Sequence, residues 1–306
     1  MPQAAGRYWE LVMTVPAASE EAASAWLFSQ GASGTVVQDS GPLVEVRGYF
    51  PEQAEQGRLN RAAAAFLASL PAWGLPAQGA HSRIRLVQAE DWAESWKRYY
   101  RPLQVGRVHI FPSWLPVPED LQARAGEPDG PVILRLDPGM AFGTGQHPST
   151  VLTLELLQAY LRPGNALLDL GTGSGILALA ALGLGAAAVL AVDRDPVAVE
   201  VARQNAGSLW DGAKIRVEQG DILDPRWQPQ GGPFDLVAAN ILAEVLIPLA
   251  PRLPGWLKPG GVFIGGGVVS WQQASVVEAL RPAGLVKIGG KAQEAWVSLA
   301  FRRAQE

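Results

Sequence analysis

Between residues 166 and 265 short apolar runs alternate with helical segments: "ALLDL" at 166–170, "AVLAV" at 188–192, "KIRV" at 214–217, "FDLVAA" at 234–239 and "GVFIG" at 261–265. Apolar runs that lack a regular polar face are strands covered on both sides, and a helix between two strands returns the chain to run in the same direction. This rhythm therefore predicts a parallel sheet with helices on both faces. The tail "LVKIGG…AWVSLAFRR" has no helix between its two apolar runs and reads as a terminal antiparallel hairpin.

The uncharged run Ile176–Val192, "ILALAALGLGAAAVLAV", is the one stretch that resembles a membrane span. Gly183 and Gly185 interrupt it, and Asp169 and Asp193 bracket it closely, so a buried helix followed by a strand is the better reading. The N-terminal "MPQAAGRYWE" lacks the apolar core of a secretory signal. No membrane association and a cytoplasmic location are expected.

The first part of the chain has a different rhythm. Residues 8–15 read as a strand, 18–30 as a helix with Gly31 just beyond its end, and 34–38 and 43–50 as strands joined by "DSGP". A helix at about 52–70 and the alternating strand "HSRIRLVQA" complete β-α-β-β-α-β, a ferredoxin-like order. In 90–100, Trp92, Trp96 and Tyr99 recur at helical spacing until Pro102, which suggests a linker helix whose aromatics pack between domains. From 103 onward come short strands, Pro-rich turns around 112–118 and the polar loop "RAGEPDG" before "VILRL". The expected division is a ferredoxin-like domain at 1–88, a linker helix at 89–101 and an α/β domain at 102–306.

Composition narrows the chemistry. There is no cysteine, which excludes disulfides, thiolate metal sites and a cysteine nucleophile. His81, His109 and His147 are scattered without ligand spacing, so no metal is expected. A net charge of −4 leaves no global basic footprint for nucleic acid and permits a basic protein as partner.

The segment "LLDLGTGSGILALAALGLG" is strand, glycine turn and helix, so backbone amides at the helix start face the carboxyl end of the strand. Gly171, Gly173 and Gly175 permit close approach of a ligand. Asp193 ends the next strand 22 residues after Gly171, where an acid can bind both hydroxyls of a ribose. A nicotinamide dinucleotide shares this geometry, but its fingerprint requires glycine where Ile176 stands, and Asp169 precedes the loop near where a pyrophosphate would add negative charge. S-adenosylmethionine has no phosphates and carries two cationic groups, so an acidic approach suits it better. "FDLVAANIL" then places Asn240 at the carboxyl edge of the fourth strand, where it either touches a ligand or caps the next helix, and "LKPGG" at 257–261 reads as the turn into the fifth strand.

These features together resemble a class I S-adenosylmethionine-dependent methyltransferase, whose doubly wound, Rossmann-like sheet has seven strands and ends in an antiparallel hairpin. "DPGMAFGTGQHPST" at 137–150, with "DWAESWKRYYRP" upstream and "LLDLGTGSGILALAA" and "AANIL" downstream, narrows the resemblance to the ribosomal protein L11 methyltransferase family (PrmA) over nearly the whole chain. The resemblance implies an S-adenosylmethionine-dependent protein methyltransferase acting on lysine ε-amines and the N-terminal α-amine of a large-subunit ribosomal protein. It makes the ferredoxin-like domain the substrate reader. Its cofactor positions correspond to Thr150, Gly171, Asp193 and Asn240, with Gly173 in the same loop, and Phe142, Gly143 and Thr144 form a wall or lid over the methionine end. Where broader relatives have N-P-P-Y, with an aromatic to stack on a planar substrate, this chain has "NILA", which favours a flexible amine over a nucleobase.

Asn240 is the residue expected to aim the incoming amine. His147 is a candidate general base without an identifiable partner, Asp221 is placed to reach an adenine or to make a turn, and Glu244 is open. Rival readings are an RNA or small-molecule methyltransferase of the same fold, a nicotinamide-dependent oxidoreductase, and a non-catalytic factor that binds the ribosomal protein.

Overall fold

The structure, a computed structural model, describes residues 7–32, 35–39, 42–88, 101–127, 129–137, 147–209 and 214–305. The chain forms two compact units, Met1–Tyr100 and Arg101–Glu306. The expected linker helix, at 89–101, lies outside the described residues except for Arg101.

In the first unit β1 (Arg7–Pro16), α1 (Glu20–Ser29), β2 (Thr35–Asp39), β3 (Leu43–Pro51), α2 (Gln56–Ser69) and β4 (His81–Gln88) follow in order. The strands pair antiparallel in the sequence β2-β3-β1-β4. Alternation along each strand sends Leu11, Met13 and Val15 with Val46 and Phe50 into a core shared with Leu27 of α1 and Leu59 and Phe66 of α2. The opposite phase carries Glu10, buried but paired: its carboxylate accepts from the Tyr49 hydroxyl at 2.9 Å and from Arg85 Nε at 2.5 Å. A buried acid needs such partners. The second helix starts later than the sequence rhythm suggests because Ala54 N bonds Pro51 O at 2.8 Å and closes a turn first.

The second unit begins with β5 (Leu103–Val105), β6 (Val108–Phe111), α3 (Glu119–Arg124) and β7 (Val132–Arg135), the strands forming a small separate sheet. The short helix α3 buries none of its residues, so it leaves no apolar stripe in the sequence. Then come α4 (Pro148–Tyr160), β8 (Ala166–Leu170), α5 (Ile176–Gly183), β9 (Ala188–Asp193), α6 (Pro196–Leu209), β10 (Ile215–Gln219), β11 (Phe234–Asn240), α7 (Ala243–Leu249), α8 (Leu253–Trp256), β12 (Leu257–Val269), α9 (Gln273–Leu280), β13 (Leu285–Gln293) and β14 (Trp296–Arg303). The seven-stranded sheet has the order β10-β9-β8-β11-β12-β14-β13, parallel as far as β12, with β14 antiparallel to both of its neighbours. This is the doubly wound sheet with a terminal hairpin.

Two cores clothe this sheet. Leu167, Leu236 and Ile264 face Leu154 and Leu157 of α4 and Leu179 of α5, and the small sheet adds Val108 and Leu134 to that side. Leu168, Leu170, Val237 and Phe263 face Leu246 of α7, Leu253 of α8 and Leu280 of α9. The uncharged run resolves into α5 and β9, and no helix among the described residues is long and apolar enough to cross a membrane. "LKPGG" differs from its reading as a turn before the strand. Leu257 already pairs with Phe234, the register then slips, and Val262 pairs with Leu236, so the turn is an irregularity inside β12.

Candidate active site

Parallel strands put their carboxyl ends on one edge, and ligands of open α/β sheets bind there at the point where strand order reverses. That point lies between β8 and β11, with β9 on the far side of β8. After β8 the chain turns through Gly171, Gly173 and Gly175, whose φ values of 68°, 55° and 85° fall where side chains are strained. The amides of Gly171 and Thr172 both bond Val192 O, at 2.8 and 3.0 Å. A Cβ on Gly171 would stand 2.5 Å from Ile241 Cγ2, so the turn closes tightly on the residue that follows β11.

Asp193, the last residue of β9, holds this loop. Its Oδ2 accepts from Gly173 N at 2.9 Å and its Oδ1 from Asp195 N at 3.0 Å. A carboxylate has about four acceptor positions, so both oxygens keep capacity for ligand hydroxyls.

Asp169 lies under the loop, fully buried, with Oδ2 accepting from the Thr172 hydroxyl at 2.7 Å. Its Oδ1 is buried without a hydrogen-bond partner among the described residues. Burial pushes its carboxyl up to about 7; the Thr172 hydroxyl and the Ala178 amide oppose that shift, and the charge of Asp193 adds to it. In the sequence Asp169 stands as one of two acids bracketing the uncharged run and as an obstacle to a pyrophosphate. Its place in the strand before the glycine turn was the available signal for a structural role.

Asn240 ends β11 beside this turn. Its Nδ2 donates to Thr150 Oγ1 at 3.2 Å, and its Oδ1 is buried with no partner among the described residues. In register it stands opposite Gly266 of β12, and a Cβ there would lie 2.9 Å from Asn240 Oδ1 and 2.9 Å from Ser298 Oγ, and would run into Thr153 Oγ1. Thr153 itself bonds Ser149 O at 2.7 Å and the Ser298 hydroxyl at 3.0 Å. Thr150, Thr153 and Ser298 are all buried. The first turn of α4, the end of β11 and β14 are thus joined through small polar groups.

His147 is the N-cap of α4. Its Nδ1 accepts from Ser149 N at 3.2 Å and lies 2.7 Å from Ser149 Oγ, while its ring meets Trp296 edge-on at 4.6 Å between centroids. Burial lowers its pKa, with Glu294 opposing. The ring is therefore a neutral cap that uses Nδ1 as acceptor. Trp296 was missed, since nothing local in the tail links it to His147. Asp221 bonds the amide of Leu223 at 2.9 Å, a turn within its own loop, and Glu244 accepts from Gln272 Nε2 at 2.8 Å. Phe142, Gly143 and Thr144 lie outside the described residues. Among the described residues no group of histidines and carboxylates is placed to hold a metal ion.

The site therefore brings together Thr150, Gly171, Gly173, Asp193 and Asn240 at one edge. Comparison with known proteins adds an independent line. Residues 7–304 match the family described as "Ribosomal protein L11 methyltransferase (PrmA)". The chain is 42% identical over 261 residues to the protein of that name from Pelotomaculum thermopropionicum, covering 85% of this chain and 80% of the relative. It is 34% identical over 316 residues to the one from Caldicellulosiruptor saccharolyticus, covering 97% and 100%. The crystal structure of ribosomal protein L11 methylase from Lactobacillus delbrueckii subsp. bulgaricus matches with a TM-score of 0.58 at 31% identity, over 67% of this chain and 100% of that one.

Proposed function

The chain belongs to the ribosomal protein L11 methyltransferase (PrmA) family, and from that premise we propose that it methylates lysine ε-amino groups and the N-terminal α-amine of ribosomal protein L11 in the cytoplasm, with S-adenosylmethionine as donor. The observation that carries the reading is the unpartnered, buried Oδ1 of Asn240 at the strand edge beside the glycine turn. A buried acceptor without a partner is costly, and an incoming N–H relieves it.

The residues present fit this donor. The Asp193 carboxylate keeps acceptor capacity for two ribose hydroxyls, and its bond to the Gly173 amide sets it against the glycine turn. Ile176, where a dinucleotide loop would need its third glycine, is packed in the core, which speaks against a dinucleotide. Thr150, Gly171, Gly173, Asp193 and Asn240 would hold the donor, and the family resemblance adds Phe142, Gly143 and Thr144 as a wall or lid at its methionine end. When bound, S-adenosylmethionine supplies an electrophilic methyl group on a sulfonium.

The chain's own contribution is placement. Asn240 is fixed through its Nδ2 on Thr150, so its Oδ1 accepts from the amine N–H and aims the nitrogen lone pair. The amine reacts only when neutral, and removal from water favours that form of a group whose ordinary pKa is about 10.4 for lysine or about 8 for an α-amine. His147 is not needed as a base, because its Nδ1 is spent on Ser149. The first unit serves as reader of the substrate protein. Absence of a basic footprint and of an aromatic after Asn240 speaks against RNA as acceptor.

The test is incubation with labelled methyl donor and either isolated L11 or RNA, followed by peptide mass mapping. Label on lysines and the N-terminus of L11 supports the reading. Label on RNA alone, or none on either, sinks it.

A further inference from the structure

Two segments at the carboxyl edge hold large apolar side chains out to solvent. Leu242, two residues beyond Asn240, is 58% exposed, and Trp271, just past the end of β12, is 77% exposed. The hydrogen bond from Gln272 Nε2 to Glu244 Oε1, at 2.8 Å, ties these segments together, and α7 and α9 share one core through Leu246 and Val276. Because β11 and β12 pair from Leu236 to Asn240 opposite Val262 to Gly266, both segments leave the sheet at the end where Asn240 stands.

Neither residue is explained by folding. Leu242 occupies the N-cap position of α7 with no side-chain capping hydrogen bond, where Ser, Thr, Asp or Asn would satisfy a further amide. Trp271 leaves most of an indole in water without burying it against the protein. Local choices that forgo stability without a packing gain belong to functional surfaces. The single scattered apolar residue needs no explanation, but here two sit on linked segments next to the acceptor-orienting residue.

We propose that Leu242 and Trp271 form the docking platform for the lysine-bearing segment of the substrate protein; this rests on the amine-methyltransferase reading above. A lysine side chain is an apolar stem ending in a charge, which suits an aliphatic and indole surface beside a carboxylate. Glu244, exposed in the first turn of α7, supplies that carboxylate, and the chain's net charge of −4 favours a cationic polypeptide over a nucleic acid strand. The platform grips the stem of the target lysine and its neighbours while Asn240 takes the amine.

The experiment compares the full-length parent with Trp271→Ala, Trp271→Phe, Leu242→Ser and Glu244→Gln, using S-adenosylmethionine as donor and isolated L11 or RNA as acceptor. Trp271→Ala should raise KM for L11 about tenfold, the scale of losing an aromatic anchor, with a smaller change in kcat. Trp271→Phe should recover most of the loss, Leu242→Ser should shift KM in the same direction, and Glu244→Gln should weaken the salt dependence of KM. Donor affinity, measured by calorimetry, should stay at the parent's value in all four. Parent-like KM in both Trp271→Ala and Leu242→Ser, with the parent active on L11, overturns the platform alone. Donor affinity that falls in step with KM overturns it by placing these residues at the cofactor. A parent that labels RNA and not L11 overturns the platform together with the reading beneath it.

Discussion

The side-chain amide of Asn240 donates to Thr150 Oγ1 across 3.2 Å, which fixes the end of β11 to the first turn of α4. Because that bond uses the nitrogen, the buried oxygen of the same amide is left pointing without a partner among the described residues. One half of the group is an anchor and the other half is available to a ligand.

Asn240→Ala removes both halves. Misplacing a reacting atom by about 1 Å costs on the order of a hundredfold in rate, so turnover should fall by about that factor and by more than donor affinity does. Thr150→Val should give a smaller loss in the same direction, since it frees the Asn240 amide and keeps the side-chain volume. Rates and donor Kd measured on the same folded variants decide it. Turnover of Asn240→Ala within about twofold of the parent would exclude an orienting side chain, and equal losses in both quantities would leave Asn240 a donor contact with no separate part in aiming the amine.

Asp193→Ala deletes the acceptor of the Gly173 and Asp195 amides and of the ribose hydroxyls proposed above. Hydrogen bonds to a charged acceptor are worth roughly 1.5–3 kcal/mol each, so donor affinity should drop by at least about a hundredfold. Calorimetry on the folded variant reads this directly. Unchanged affinity would remove Asp193 from the site.

How far the sequence foretells this architecture depends on whether the physics is local. Strands β8, β9 and β11 announce themselves because burial on both faces leaves each as an apolar run, and Gly171, Asp193 and Asn240 are found because each follows or ends such a run. The hydroxyl pair of Thr153 and Ser298 cannot be seen that way, since the two residues meet only once β14 inserts between β12 and β13. Trp296 reaches His147 by the same long-range route. The start of β12 is hidden because Pro259, Gly260 and Gly261 carry turn chemistry inside a strand that has already begun pairing. Thr150 entered the expected site by family resemblance, and its bond to Asn240 is what supplies a physical reason for it.

Gly266→Ala tests the packing around Asn240. The added methyl would meet Thr153 Oγ1 too closely and crowd Asn240 Oδ1 and Ser298 Oγ, all of them held by buried elements that cannot move aside cheaply. Overpacking of this kind costs about 1–3 kcal/mol, so the variant should unfold at lower denaturant and lose turnover through a displaced Asn240. Parent-like stability and rate together would show that this edge has more slack than its geometry implies.

The second unit has its own two-sided core, and the first has another built from Leu11, Phe50 and Phe66. Units with separate cores can fold separately. A chain beginning at Arg101 should therefore bind S-adenosylmethionine with near-parent affinity while losing most of its activity on L11, because the unit proposed to read the substrate is gone. Calorimetry and methyl incorporation on the same preparation separate the two properties. Full methylation of L11 by the shortened chain would show that the ferredoxin-like unit does not read the substrate.

Asp169 gives the unliganded protein a pH dependence of stability with a definite sign. Its carboxyl is raised by burial from 3.8 to about 7 in the folded state, so the native protein keeps a proton that the unfolded chain gives up. The contribution is therefore complete below about pH 3.8, declines as pH rises toward 7, and above that the ionised group bears its full desolvation penalty. Asp169→Asn preserves an acceptor for the Thr172 hydroxyl and cannot ionise, so it should lack this decline. Denaturant unfolding of parent and variant should show the variant gaining on the parent by on the order of 1 kcal/mol per unit between about pH 5 and about pH 7, then levelling off. Parallel curves over that range would mean that Asp169 is ionised throughout, with its buried Oδ1 satisfied by a group such as an internal water.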